Sequence, residues 1–459
     1  MNVTHDLVGQ RCPPEVASRI FQFCLEDMKE VTSPLTIGSI CRTWRAIAYS
    51  TPQLWTSLSI PLCFKKFTWA DRFGLTQQWL SRSGQLPLSI YIYANQELKE
   101  NAAVSAYPLI NLVKQIYNRC RFLSINVPFF LLPQFSSDSQ DTSVLQTLSL
   151  RLSDYAGFFT DKFSLASPSH RPVDVSISYI SIDSVHIRWD NVANIELEYL
   201  DYGDCLRSLE YAPRLEEAVF RDVVPPDEGF KRPHEPIVCQ CLQKLVFTNG
   251  GIRGRLGNLL FNHVTLPCVK TLSFGDTAYI PAEDFLPFVK RSMCSLSELS
   301  LGDVYFGDCE DLISILKEVP LLQTLHLEPY DSHVLMPLFH HLGKTSMIPS
   351  SSDEAFLPFL QCLNYMMYGF CNWEGFPDIF GNISTINSGH RRPLRRLVVL
   401  IEGAGSPISF DCHIPPPVLY KLLALKRSGI DLQLPRTEGD DLLQASVMFY
   451  DLDTSAQEL

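Results

Sequence analysis

The sequence predicts an α/β solenoid, in which a module of three short helices precedes an irregular array of parallel strands. One observation is a hydrophobic pattern, L-x-x-L-x-L, whose first positions recur at intervals of 27, 27, 27 and 26 residues. A fixed period of this size is typical of repeat architectures. A second observation is the helical spacing of apolar residues before residue 60. The third is size, because 459 residues are too many for one compact core.

Each copy of the pattern predicts one short strand whose alternate side chains point inward. The degenerate first copy and the four clear copies are Leu215/Ala218/Phe220, Leu242/Leu245/Phe247, Val269/Leu272/Phe274, Leu296/Leu299/Leu301 and Leu322/Leu325/Leu327. Looser copies lie at Cys120/Leu123/Ile125, Leu145/Leu148/Leu150, Val192/Ile195/Leu197 and Leu394/Leu397/Val399. Apolar helical segments, such as Asp311–Glu318, return the chain between strands. We therefore expect adjacent parallel strands to bury Leu245, Phe247, Leu272, Phe274, Leu299, Leu301, Leu325 and Leu327.

The first sixty residues predict three short helices. The first begins at Pro13-Pro14 and the second at Pro34, since proline is well suited to the first turn of a helix. A third short element covers residues 51–55. Three helices of this length cannot bury all their large apolar side chains among themselves. The remaining surface either binds another chain, with Trp and Phe as the usual anchors, or packs on the rest of this protein.

The same segment resembles an F-box, in the F-box-like variant abundant in mushroom-forming fungi. The elements that carry the resemblance are Cys12-Pro13-Pro14-Glu15, Ile20-Phe21, Leu35, Ile40-Cys41-Arg42-Thr43-Trp44-Arg45 and Pro52-Gln53-Leu54-Trp55. Cys12 is a departure, because the family usually has leucine before the proline. The resemblance implies that the module binds the Skp adaptor and, through it, the cullin of a ubiquitin ligase. By analogy, the adaptor contact or its immediate support comprises Pro14, Ile20, Phe21, Leu35, Ile37, Trp44, Leu54 and Trp55.

The repeating strands resemble leucine-rich repeats, whose usual lengths include 27 residues. The array departs from the standard repeat at the position of the buried asparagine or cysteine, which is occupied by Gly250, Thr277, Val304 and Tyr330. The predicted organisation is an F-box-like domain at residues 10–60 and an irregular leucine-rich-repeat substrate-binding domain at 115–435. An acidic C-terminal tail follows at 436–459, with six acidic and no basic residues after Arg436.

If the leucines point inward, the alternating residues form an outward face of the strands. This face is mostly small and polar, and in leucine-rich-repeat receptors the matching face often carries the ligand. The candidate target-binding residues are Lys244, Val246, Thr248, Thr271, Ser273, Glu298, Ser300, Thr324, His326 and Glu328. A merely solvated face, or a ligand bound by loops at its rim, are the alternatives.

The charge balance and the motifs exclude several function classes. The net charge of −12 disfavours nucleic acid and anionic membrane surfaces as partners. No apolar segment predicts a membrane span, and no basic apolar leader predicts secretion, so we expect a cytoplasmic or nuclear protein with reduced cysteines. Residues 250–254 lack the Lys-Ser/Thr of a phosphate loop, and Cys239 and Cys241 lack a second pair at zinc-like spacing. We therefore expect no cofactor, no metal and no catalytic site.

The predicted function follows from the two resemblances. We expect a non-catalytic substrate-receptor subunit of a Skp–cullin–F-box type ubiquitin ligase, which recruits a target protein by tethering. The alternative is a non-catalytic interaction scaffold whose F-box-like module acts without cullin. Leucine-rich surfaces recognise many unrelated ligands, so the sequence does not specify the target.

Overall fold

The computed structural model divides the chain into two compact units, Met1–Ile195 and Glu196–Leu459. The structure describes residues 8, 11–27, 34–62, 68–94, 98, 100–137, 143–154, 162–165, 170–226, 230, 233–249, 256–275, 280–304, 309–329, 335–368, 373–382, 391–402, 413–436 and 441–452.

The first unit begins with a helical module. Its helices are α1 (Pro14–Asp27), α2 (Pro34–Ile40) and α3 (Arg42–Tyr49), followed by a 3₁₀ turn at Pro52–Trp55. The second helix, which was predicted to begin at Pro34, is interrupted at Cys41, whose backbone is extended with φ −154°. The Cys41 Sγ accepts a hydrogen bond from the Trp44 backbone N–H at 3.4 Å. This thiol therefore acts as the N-cap of α3 and turns the chain between the two short helices.

Parallel strands follow directly after the module. They are β1 (Ser57–Pro61), β2 (Leu88–Tyr93), β3 (Cys120–Val127), β4 (Thr147–Leu152) and β6 (Asp174–Ser178), and each pairs in parallel with the next in this order. The helices between them are α4 (Trp69–Arg82), α5 (Glu100–Ala103) and α6 (Tyr107–Lys114), while β5 (Phe163–Ser164) pairs separately with β7 (Val185–His186). Two strands thus precede residue 115, where the array was predicted to begin. The short strand β8 (Asn194–Glu198) contains the boundary between the two units.

The second unit repeats one strand and one return segment along its length. Its paired strands are β9 (Glu217–Val223), β11 (Lys244–Asn249), β13 (Thr271–Gly275), β14 (Glu298–Val304), β15 (Thr324–Pro329), β16 (Cys362–Tyr368), β17 (Arg396–Glu402) and β18 (Asp431–Gln433). A separate pair is formed by β10 (Ile237–Val238) and β12 (Val264–Thr265). The helices are α7 (Tyr202–Tyr211), α8 (Leu256–His263), α9 (Ala282–Ser292), α10 (Cys309–Lys317), α11 (Met336–Lys344), α12 (Gly375–Asp378), α13 (Pro416–Arg427) and α14 (Leu442–Phe449). The predicted α/β class is confirmed.

The register of these strands follows the leucine pattern. Leu245 pairs with Leu272, which pairs with Leu299, and each parallel pairing continues along the unit to β18. The prediction of buried residues in adjacent parallel strands is confirmed, because at most 1% of each of the eight named side chains is exposed. Since strand side chains alternate, one face of the strands forms the core and the other faces outward.

Two findings differ from the expected organisation of the second unit. The strand β16 carries a copy of the pattern, Leu360/Leu363/Tyr365, in which tyrosine replaces the last leucine. In the predicted acidic tail, Asp441 caps α14 by accepting hydrogen bonds from the backbone N–H of Leu443 and Gln444. Leu442 and Leu443 are buried there, so this part of the tail belongs to the folded unit. Among the described residues, the helices are all too short or too polar to span a bilayer.

Candidate functional site: two sheet faces and a helical module

The helical module has a closed hydrophobic core. The residues buried in it are Ala17, Phe21, Ile37, Ile47, Ala48, Leu54 and Trp55, with Val8, Cys12, Ile20, Trp44 and Trp79 packed against them. Phe21 and Trp44 lie with ring centroids 4.8 Å apart. Of the eight residues predicted for the adaptor contact or its support, Phe21, Ile37, Leu54 and Trp55 are therefore core. Ile20 and Trp44 are half-buried at its edge, while Pro14 and Leu35 are exposed.

Several large apolar side chains of the module remain in water. The exposed fractions are 47% for Val16, 52% for Phe23, 42% for Leu35 and 40% for Ile40. Val16, Ile20 and Phe23 follow one line of α1 at i, i+4 and i+7, beside the line of the buried Ala17 and Phe21. The prediction of site residues omitted Val16, Phe23 and Ile40, because apolar residues on every side of these short helices conceal which side is buried.

Trp55 joins the module to the first strands. Its indole is fully buried, and its Nε1–H donates to the Ala48 carbonyl at 2.8 Å. Trp79 of α4 contacts the Trp55 ring edge to face. The Arg82 guanidinium carbon lies 4.6 Å from the centroid of the Trp55 ring. Trp79 lies on α4, which is the first return helix after β1. The module and this helix therefore share one hydrophobic core.

The second unit places the predicted target-binding residues on one outward face. Lys244, Thr271, Glu298 and Thr324 pair across β11, β13, β14 and β15, as do Val246, Ser273, Ser300 and His326. Thr248 lies opposite Gly275, and Glu328 lies opposite Gly302. All ten predicted residues are half-buried, as expected for side chains that stand beside neighbours on the solvent side of a sheet.

Side chains on this face form a continuous ladder of hydrogen bonds across four strands. The Thr271 hydroxyl donates to Glu298 Oε2 at 3.3 Å, and His326 Nε2 lies 3.1 Å from Glu298 Oε1. Asn364 Nδ2 lies 2.9 Å from His326 Nδ1, and the Cys362 thiol donates to Asn364 Oδ1 at 3.4 Å. One neutral histidine tautomer satisfies every bond, with Nε2–H donating to the carboxylate and Nδ1 accepting from the amide. The ladder holds each side chain in a fixed orientation.

The thiols of Cys362, on this face, and of Cys239, buried beside the β10–β12 pair, are poor nucleophiles. Burial raises the pKa of Cys362, although the Arg396 charge and the Asn364 hydrogen bond oppose this shift. Burial also raises the pKa of Cys239 to about 12. Both groups therefore remain protonated at neutral pH, and a protonated thiol is neither a good nucleophile nor a metal ligand. Within the described part of the chain, no three His, Cys, Asp or Glu side chains are grouped as metal ligands.

The outward face of the first unit has a different composition, which the sequence analysis missed. Tyr91 and Tyr93 of β2 are 38% and 44% exposed, and the Tyr91 ring lies 4.8 Å from that of Phe122 on β3. Arg151 of β4 is exposed in the register row of Tyr93 and Asn126. The alternation of Leu88, Ile90 and Ile92 with these tyrosines is the signal that identifies β2 as a strand.

The chain thus presents an apolar helical surface, a polar sheet face and an aromatic sheet face. Neither a family model nor a curated protein matches this chain.

Proposed function

We propose that this chain is a non-catalytic substrate receptor of a Skp–cullin–F-box type ubiquitin ligase, working in the cytoplasm or nucleus. The observation that carries the proposal is the exposure of Val16, Phe23, Leu35 and Ile40 on a module whose core is already closed. Each side chain that a partner covers gains about 25 cal/mol per Å² of apolar surface removed from water. Such a surface favours docking of another protein, and the F-box resemblance identifies that protein as the Skp adaptor.

We also propose that the strands form an irregular leucine-rich-repeat solenoid that holds the target. The pairing of each strand with the next, at registers 27 residues apart for Lys244, Thr271 and Glu298, supports this reading. Three of the four positions used to compare the repeat with the standard asparagine pattern, Gly250, Thr277 and Tyr330, lie outside the described residues.

The mechanism is tethering. One surface binds the adaptor, and another holds a target protein close to the ubiquitin-loaded enzyme, which raises the local concentration of the two reactants. No catalytic side chain is required of the receptor itself. The fixed side chains of the second unit's ladder fit this role, since a binding face is most effective when its groups are already oriented.

Co-purification with Skp and cullin tests the proposal. The full chain should recover Skp together with cullin, whereas Phe23→Asp and Leu35→Asp should each reduce Skp recovery at least ~10-fold, because a carboxylate would be buried against the partner. Val104→Asp is the matched control, since Val104 is 59% exposed in the same unit but outside the module. Recovery of Skp without cullin would support the scaffold alternative. If neither protein is recovered, or if both module variants bind as well as the control, the proposal is wrong.

A further inference from the structure

We propose that the outward face of β1–β4 binds an extended segment of the target that carries an apolar residue and a carboxylate three positions apart. This inference rests on the proposed function for the identity of the bound chain as a target. The binding itself is a property of the first unit, so the surface can be tested without the adaptor.

The aromatic side chains provide the apolar part of the site. Tyr91, Tyr93 and Phe122 stand on one face, because they alternate with the buried residues Ile92 and Leu123. Tyr91 and Phe122 are already in contact, with ring planes tilted by 36°. Rings held by neighbouring strands lose little conformational freedom on binding, and tyrosine is among the residue types that contribute most at protein interfaces.

The floor beside these rings is flat and rich in hydroxyl groups. In the register row of Tyr91 the paired residues are Ser59, Ser124, Ser149 and Ser176. Small side chains allow the backbone of a bound segment to approach the sheet, and their hydroxyls can donate to or accept from its peptide groups. The row therefore accommodates an extended chain without a steric barrier.

The charge of this face is opposite to that of the chain as a whole. Arg151 lies on this face in the register row of Tyr93 and Asn126, with its guanidinium carbon 5.8 Å from the Tyr179 ring centroid. The four strands contain no acidic residue, although the net charge of the chain is −12. Arginine also pairs with carboxylates in a bidentate geometry. An acidic side chain of a partner is thus electrostatically complementary to this surface.

The strand register gives the spacing of the two recognition elements. Tyr93 pairs with Asn126, which pairs with Arg151, so the ring and the guanidinium stand two strands apart in one row. Two strand separations amount to about 10 Å. A polyproline-type extended segment places residues i and i+3 on the same side about 9 Å apart. Between them, the Asn126 carboxamide oxygen is buried and has no hydrogen-bond partner in the part of the chain that the structure describes, and a rotated carboxamide would pair with the peptide group of such a segment.

Selection from a random 12-residue peptide library, displayed on phage and panned on the full chain, tests this inference. Enriched peptides should carry a Trp, Tyr, Phe or Leu and, three positions away, an Asp or Glu. Binding of one enriched synthetic peptide is then measured by fluorescence anisotropy. Tyr91→Ser should raise its Kd at least ~10-fold, in line with the loss of an interface anchor. Arg151→Glu should reverse the preference, so that a peptide with Lys in place of the acidic residue binds more tightly than the original.

The controls separate this inference from the proposed function. Tyr420→Ser and Arg214→Glu alter an exposed tyrosine and an exposed arginine of the second unit and should leave the Kd unchanged. Circular dichroism checks that each variant is folded. A library with no enrichment, enriched peptides without an acidic residue, or a Kd unaffected by Tyr91→Ser would each overturn the inference. Skp recovery by Tyr91→Ser should equal that of the unaltered chain, so a failure of the peptide site leaves the adaptor proposal standing.

Discussion

Trp55 and Trp79 meet edge to face, with ring centroids 4.8 Å apart and ring planes at 75°. One ring ends the helical module and the other belongs to the helix after the first strand. Tyr49 adds a third ring 5.4 Å from Trp55, and Arg82 lies over both Tyr49 and Trp55. The adaptor-binding surface that we propose is therefore attached to the first strands through packed side chains, and not only through the backbone.

We expect Trp55→Ala to lower the free energy of unfolding of the chain by about 3–5 kcal/mol, as is usual when a buried Trp is truncated. Urea unfolding followed by circular dichroism measures the change. Tyr420→Ala, which removes a half-exposed ring, should change the free energy of unfolding by less than about 0.5 kcal/mol. Deleting the whole module would expose Trp79, which packs against Trp55. Point variants of exposed residues therefore test docking more directly than truncation. Equal stability of the Trp55 and Tyr420 variants would refute the shared core.

Arg392 is expected to be the most sensitive polar residue of the second unit. It is 5% exposed, and it donates to the carbonyls of Leu342, Phe356 and Leu357 and to the Thr345 hydroxyl. Burial lowers its pKa to about 10, so the guanidinium remains charged at neutral pH. Arg392→Met leaves these buried acceptors unpaired and should cost roughly 3 kcal/mol or more.

The same measurement with Arg392→Lys provides the control for this effect. Lysine keeps the charge but has three donors on one nitrogen and cannot reach all the acceptors. We expect it to be intermediate between arginine and methionine. Leu357 adopts φ +45°, a left-handed conformation that is unfavourable for leucine, and the Arg392 hydrogen bond to its carbonyl helps to hold it. A stable Arg392→Met variant would show that this arginine contributes little.

Met293 offers a stabilising substitution. It follows the last residue of α9 and adopts φ +47°. Its side chain is 85% exposed, so it makes little packing contact that could compensate for the left-handed backbone. Glycine is the usual residue at this position after a helix. Met293→Gly should raise the free energy of unfolding by about 0.5–1 kcal/mol, and Met293→Ala, which retains the Cβ atom, should gain less. Thermal unfolding of the two variants decides between these outcomes.

The outward face of the second unit should tolerate large residues without loss of fold. Ser273 and Ser300 are half-buried on the solvent side, so their replacement by Trp leaves the core intact. We expect the double variant to keep its melting temperature and its Skp recovery but to capture fewer ligase-dependent partners, as counted by mass spectrometry. Unchanged capture would exclude this face and favour rim loops or the aromatic face of the first unit.

Acid should destabilise the first unit through His170. This residue is 2% exposed, neither ring nitrogen has a hydrogen-bond partner among the described residues, and burial lowers its pKa below the ordinary 6.5. The unfolded chain then binds a proton near pH 6.5, whereas the folded chain binds it only at lower pH. The stability that neutral His170 contributes is complete above pH 6.5 and decreases as pH falls below it towards the folded-state pKa.

Unfolding at pH 7.5 and pH 5.0 measures this dependence. His170→Gln cannot titrate, so the variant should lose less stability than the unaltered chain on acidification. A matched control is His340→Gln, which removes the histidine next to His341 on α11. An acid dependence that is the same in the His170 variant would assign the effect to other groups, among them His341, whose pKa burial also lowers.

Sequence reasoning predicted most clearly the strands in which inward leucine or phenylalanine recurs at a regular interval. Leu245, Leu272 and Leu299 are one register row because the return segments between them have nearly equal length. It missed β16, since Tyr365 replaces a leucine and the return segment before it is longer, with Leu325 and Leu363 paired across it. Periodicity detects a repeat only where both the residue type and the interval are maintained.

The candidate sites were predicted less completely than the strands. A strand pattern assigns Glu298 and His326 to the outward face, and the structure adds their hydrogen bond. In the helical module, residue type alone did not separate Phe21, which is core, from Phe23, which is exposed. That distinction depends on how α1 is rotated against α3, and the rotation is set by packing rather than by periodicity.

The order of strand pairing also bears on how the second unit opens. Apart from the β10–β12 pair, each strand from β9 to β18 pairs with the next one along the chain, so the sheet from Glu217 to Gln433 is a series of local interfaces. In such a series a terminal strand can detach while the interior remains closed. Amide protons of β18, a strand of three residues, should then exchange sooner than those of β14. A protease that cleaves only opened segments would therefore cut first at the β18 end of the sheet. The strands around Ser300 would be cut later.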